Sequence, residues 1–309
     1  MRALPLAALA VLLASSARAG GSPTLRRSLS ARSAAMADAY SAVPGGLSSL
    51  STNPAGLAAA RRPQLDTIFT SGILDDAFGF LGFARPLPLG SAAVGLSYYD
   101  AGKVEFHFAN GTGESRTAQR DFVGHLAWAV PLPGGLSLGA TAKYYRFELA
   151  QEARAAGLAA DAGAQWKTPV PGLSVGAAIQ NAGPGVKFER ETDPLPLTAR
   201  GGAAWNWSSL PAAPGADALS ELTGSRVLLS GEAVKVRDEA MIGALGAELA
   251  MDFGSETSVA LRAGWRLNSD NARLTVGVGM REGRYSIDYA MAEKRTLGQT
   301  HYAGFGVRF

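Results

Sequence analysis

No cysteine occurs among the 309 residues, so neither disulfides nor thiolate metal sites hold this chain together. Its histidines number only three; His107, His125 and His301 are scattered and have no metal-ligand spacing. No cofactor or metal is expected. Beyond the first residues no apolar run approaches the roughly 20 residues of a spanning helix, which excludes a helical membrane protein. Excess charge is missing too. Removal of Arg2 and Arg18 with the leader described next takes the 29 basic residues to 27, against 26 acidic ones. A nearly neutral chain has no electrostatic footprint for nucleic acid. After Pro63 there is no Ser/Pro linker or charge block, so that part reads as one unit.

The leader "MRALPLAALAVLLASSARAG" has an early Arg, an apolar stretch from Ala3 to Ala14, and small residues at Ala17 and Ala19. That layout predicts a secretory signal peptide over 1–19. From Gln64 onward the dominant pattern is alternation, the period of a strand with two different faces. Phe122, Leu126, Trp128 and Val130 oppose Gln119, Asp121, Val123 and His125. Leu195, Leu197, Ala199, Ala203 and Trp205 oppose Thr198, Arg200 and Asn206, and Val259, Leu261 and Trp265 oppose Ser258, Arg262 and Arg266. Fourteen such runs are expected, at 64–71, 76–86, 91–101, 118–131, 136–148, 154–167, 173–181, 196–207, 225–236, 242–253, 257–267, 272–281, 284–292 and 300–309. Each is about ten residues long, matched to a tilted crossing of a bilayer. The expected fold is therefore all-β: an antiparallel transmembrane β-barrel of about 14 strands over 63–309.

The connections sharpen this. "PLPLGS", "PLPGG", "TPVPGL", "GSE" and "EG" are short and fall at alternate links, with longer polar links between them, as in outer-membrane barrels with periplasmic turns and extracellular loops. The link from Ser208 to Ser225 breaks the rule. The last run places Phe305, Val307 and Phe309 on one face. A final strand closing on Phe resembles the signal read by the barrel assembly machinery of the bacterial outer membrane.

Residues 20–62 precede the barrel. Leu25 to Val43 carries helix formers with Met36, Tyr40 and Val43 at helical spacing, then breaks at Pro44, Gly45 and Gly46. In "STNPAGLAAARRP", Asn53 can cap a short turn whose first residue, Pro54, lacks an N–H that would go unpaired. An apolar helix and tight turn in this place are expected to lie in the lumen as a hatch.

These residues resemble a family. "ARSAAMADAYSAVPGGLSSLSTNPAGLA" is similar to the N-terminal segment of PorV/PorQ-type outer-membrane proteins and, more distantly, of FadL-type channels for hydrophobic molecules; "LPLTARGGAAW" and Leu158 to Glu189 extend the likeness. Ala31, Arg32, Met36 and Asn53 to Leu57 stand where the family has its Ala-Arg, its Met and its Asn-Pro-Ala-Gly-Leu. Ala37-Asp38 and Gly45-Gly46 depart from the family's Gly-Gly and acidic pair. The resemblance implies a fourteen-stranded barrel with a hatch that includes Met36, Tyr40, Asn53, Pro54, Gly56 and Leu57. It also implies one of two functions: docking of exported proteins or a secretion machine, or passive transport of hydrophobic small molecules.

Enzymatic chemistry finds little support. "GLSLG" and "GLSVG" satisfy Gly-x-Ser-x-Gly, but each starts a strand after a Pro-Gly turn, so Ser137 and Ser174 are turn-exit residues rather than nucleophiles. Asp121 and His125 are expected as a hydrated polar pair in the lumen. Lys143, Asp161, Lys167, Arg200, Arg262, Arg266 and Asp288 read as a cross-paired lumen wall. Tyr144, Tyr145, Trp166, Trp205, Trp207 and Trp265 read as interfacial girdles.

Overall fold

A computed structural model describes residues 23–309 apart from 73–75, 108–112, 189–190, 209–221, 270–271 and 295–297. The expected signal peptide and most of the 208–225 excursion lie outside the described residues. The strands are β1 (Gln64–Ser71), β2 (Ala77–Leu87), β3 (Gly90–Asp100), β4 (Lys103–His107), β5 (Gly113–Thr117), β6 (Gln119–Pro131), β7 (Leu136–Leu149), β8 (Ala153–Lys167) and β9 (Leu173–Ala182), then β10 (Val186–Phe188), β11 (Glu191–Asp193), β12 (Thr198–Ser208), β13 (Leu222–Val236), β14 (Ile242–Phe253), β15 (Thr257–Leu267), β16 (Ala272–Glu282), β17 (Tyr285–Lys294) and β18 (Gly298–Arg308). Fourteen of them form one closed antiparallel barrel. The β4–β5 and β10–β11 hairpins stand apart, in two of the long links.

Closure is made by β1 against β18, in register from Gln64↔Arg308 to Ser71↔His301. Phe309 N donates to Pro63 O at 2.9 Å, so the chain ends at the mouth where it enters its first strand. All fourteen expected runs coincide with barrel strands to within three residues at either end. The two extra hairpins were not expected, because their strands of three to five residues are too short to read as crossings of a bilayer.

Closure leaves no strand edge, and the faces follow from the solvent each one meets. Leu126, Leu158, Ile179, Leu245 and Ile287 are each more than half exposed on the outer wall. Asp121, Val123 and His125 alternate with them and are buried inside. Two expectations fail. Tyr145 is not part of a girdle: Tyr144 and Tyr145 are adjacent, so only one can face lipid, and Tyr145 turns inward to stack on Phe147 at 4.7 Å between ring centres. Leu195 does not face outward either. It precedes β12 and is buried with Leu25, Val123, Tyr145, Phe147 and Val186.

The segment before β1 is not the single helix expected over 25–43. Among its described residues the only α-helix, α1, spans Ala31–Ala35, with Ser30 as its cap. Short 3-10 turns occupy Pro23–Arg26, Gly46–Ser49 and Pro54–Ala59. Ala37 (φ 55°) and Asp38 (φ 57°) turn left-handed and end α1. The wall captures the chain there: Arg266 donates to Ala37 O at 3.2 Å and pairs with the Asp38 carboxylate at 2.7 Å, while Arg200 donates to Asp38 O at 3.1 Å. Met36, Tyr40 and Val43 still meet in one buried cluster, with Ala204 and Leu228 of the wall.

Candidate functional site: the filled lumen and its wall

Residues 23–62 thread the barrel from one mouth to the other. At the long-link mouth Arg26 pairs with Glu239 at 2.5 Å and Arg27 with Asp76 at 2.9 Å, both partners lying in links between strands. The Arg27 guanidinium also lies 4.1 Å from the centre of the Tyr99 ring. The segment reaches the short-turn mouth at Pro63.

Its seat is cut into the wall by small residues. A Cβ on Gly139 would overlap the Pro54–Ala55 peptide, one on Gly163 the Asn53 amide, and one on Gly176 the Ser41 carbonyl. On the far side the same holds for Gly264 against Ala37 N, while a Cβ on Gly246 would come within 2.9 Å of Met36. Glycine is abundant in these strands because backbone lies on backbone.

The Asn53–Pro54 turn is held as the sequence implies. Asn53 Oδ1 accepts from Ala55 N at 3.0 Å, and Nδ2 donates to Ser41 O at 2.7 Å and to Ala164 O at 3.0 Å. Gly56 packs closely on Ser49, and Leu57 is fully buried with Leu47, Leu50, Ala127 and Ala129. All six expected hatch residues are therefore buried inside the barrel.

α1 meets a charged wall instead. Arg32 donates to both oxygens of Glu248, at 2.7 and 2.6 Å. Arg262 bridges Glu248 and Asp288, each at 2.6 Å. Opposite, Lys143 pairs with Asp161 at 2.7 Å, and Arg200 pairs with Glu232 at 2.6 Å. The lumen charges are thus cross-paired, but Asp121 and His125 are not brought together as a hydrated pair. Asp121 accepts from Thr24 and from Gln119, whereas His125 Nε2 lies 3.0 Å from Ser97 Oγ. The His125 ring is also set edge-on to Phe80, 5.9 Å between centres. Lys167 sits exposed at the end of β8.

Two cavities matter for passage. A vestibule of about 390 Å³ lies under the N-terminal turn at the long-link mouth, bordered by Arg27, Thr70, Phe78, Thr300 and Tyr302. The second is an apolar recess of about 540 Å³ on the outer wall, formed by Leu81, Phe83, Val94, Leu96, Leu126, Tyr144 and Leu158 around Gly82, Gly95 and Gly124. Gly82 faces Gly95 across β2 and β3. A Cβ at either would come within 2.6 Å of the Phe80 ring, which covers this glycine patch from inside. Phe78 borders the vestibule, and Phe80 is the next inward residue along β2.

Sequence reasoning missed Phe80, Gly82 and Gly95. Alternation shows which face each one takes; the Gly-to-Gly alignment appears only with the register of β2 on β3. It also missed Glu248, which no local motif marks. Phe305 and Phe309 are exposed on the lipid-facing side, where Phe305 stacks on Tyr285 at 6.2 Å, and Val307 is half-buried. Trp205 and Trp207 stack outside at 6.0 Å, consistent with a girdle.

No family model matches the chain, and no curated protein matches it by sequence. Among solved structures, the toluene transporter TodX of Pseudomonas putida aligns with a TM-score of 0.56 and 12% identity, over 90% of this chain and 97% of that one. The CymD monoaromatic hydrocarbon channel aligns at 0.55 and 10%, over 90% and 96%. The protein is a bacterial outer-membrane β-barrel. At these identities the likeness establishes the fold, and neither of the two is described as a PorV/PorQ-type protein.

Proposed function

We propose that this barrel carries small hydrophobic molecules across the outer membrane, leaving through the wall rather than along the axis. The observation that supports this is the apolar recess of about 540 Å³ over the Gly82–Gly95 patch. Its size falls in the roughly 300–1,000 Å³ range of small-molecule sites, and it faces lipid, where a hydrophobic solute is at home. The filled lumen argues against an axial pore for hydrated solutes. A solute would enter the vestibule, pass Phe78, displace the Phe80 ring, and reach the recess between β2 and β3. The FadL-type resemblance and the names of the two structural neighbours lean the same way. No observation among the described residues favours docking of exported proteins or a secretion machine.

Uptake of toluene and of a small sugar by proteoliposomes tests the route. Phe80→Ala should raise toluene uptake and leave the sugar excluded, because the hatch remains seated. Gly95→Val, which jams the ring against the wall, should lower toluene uptake severalfold without unfolding the barrel. Wild-type toluene uptake by a folded Gly95→Val protein would defeat the reading.

A further inference from the structure

The ion pairs around α1 do not use up the positive charge on their side of the lumen. Below them, toward the short-turn mouth, lies a polar cavity of about 140 Å³ between the hatch and strands β13–β18 and β1. Five guanidinium groups line it against three carboxylates. The two deeper arginines, Arg32 and Arg262, are satisfied by Glu248 and Asp288. The other three, Arg226, Arg281 and Arg308, stand at the mouth with Asp66 as the remaining carboxylate of the lining.

Just outside, Asp252 is shared between Arg226 at 3.2 Å and Arg281 at 4.0 Å, so one carboxylate serves two cations. Glu256 belongs to the exposed β14–β15 turn, in the adjoining outer pocket. Arg281 sits in the field of both Arg308 and Arg226. The Arg226 Nε is buried and has no hydrogen-bond partner. A buried N–H without an acceptor is unfavourable, and mutually repelling cations add to that cost. Ser258 and Ser286 supply hydroxyls to the same cavity. Wall side chains there are small: Ala250, Ala260 and Gly279 leave the volume open.

We propose that this mouth binds a phosphate-type oxyanion, held by Arg226, Arg281 and Arg308 with help from Ser258 and Ser286. A tetrahedral phosphate group supplies what the site lacks: negative charge, acceptor oxygens for forked guanidinium donors, and a partner for the orphaned Nε. The chemistry is shared by free phosphate and by a phospholipid headgroup reaching around the rim of the mouth. The site is distinct from the hydrophobic route, whose vestibule opens at the other mouth and whose recess lies across the barrel, and it does not depend on conduction.

Calorimetric titration of inorganic phosphate into the detergent-solubilised barrel is the test, with heat-modified gel mobility confirming that each variant is folded. Saturable binding is expected. The double variant R281Q/R308Q should weaken it by about tenfold or more, and R154Q, which removes an exposed outer-wall pair with Glu148, should leave it unchanged. If phosphate fails but phosphatidylglycerol bicelles bind with the same arginine dependence, the oxyanion is a headgroup. Binding of neither, undiminished binding by folded R281Q/R308Q, or equal weakening by R154Q overturns the proposal.

Discussion

The two sides of this lumen are filled by the same N-terminal segment in two different ways. Against β6–β9 the segment is neutral, and it lies so close that glycine is the only residue that fits at Gly139, Gly163 and Gly176. Against β14–β18 it is charged, and α1 is pinned by Arg32, Glu248, Arg262 and Asp288, with a polar cavity left beside them. Close contact seals; ion pairs position but leave room for water and solutes. The sealed side borders the apolar recess and the charged side borders the oxyanion cavity, so the contrast matches two separate kinds of ligand.

The charged side should be the more fragile to a single deletion. Glu248→Ala strands Arg32 and leaves Arg262, only 9% exposed, with Asp288 as its one remaining carboxylate in the cluster. Breaking a buried pair in this way costs about 3–5 kcal/mol. Urea unfolding of the barrel in lipid vesicles should show that loss. On the sealed side, Gly163→Val pushes into the Asn53 amide, and overpacking of this kind costs about 1–3 kcal/mol. If Glu248→Ala costs no more than Gly163→Val, charge is not what holds α1, and the contrast between the two sides disappears.

Most of the architecture was legible because one physical rule governs it. A strand between lipid and a packed lumen must alternate, so runs such as Asp121–Val130 declare both their length and their faces. Tyr145 misled because it was read by its chemistry rather than its parity, and Leu195 because the alternation was extended back beyond Thr198, where the strand begins. The burial of the N-terminal segment was legible, through Asn53–Pro54 and the apolar side chains of Met36 and Tyr40. Its conformation was not. The left-handed turn at Ala37–Asp38 is imposed by Arg200 and Arg266, which are more than 160 residues away in sequence. Ion pairs such as Arg32–Glu248, and the Gly82–Gly95 alignment, need the closed register before they exist at all.

The smallest effect sharpens the comparison from the sealed side. Asn53→Ala removes the cap on Ala55 N and the donors to Ser41 O and Ala164 O, but it leaves Leu57 and the glycine seat in place. Loss of a helix cap of this type costs about 1–2 kcal/mol. Adding Pro54→Ala frees the turn further. The barrel itself should stay folded, because none of its ladder bonds is touched, while the hatch loosens. The expected signature is therefore a small drop in unfolding free energy together with increased leakage of small hydrophilic solutes from liposomes. Unchanged permeability in the double variant would mean that the glycine seat alone holds the hatch and that the Asn-Pro turn only guides the chain toward β1.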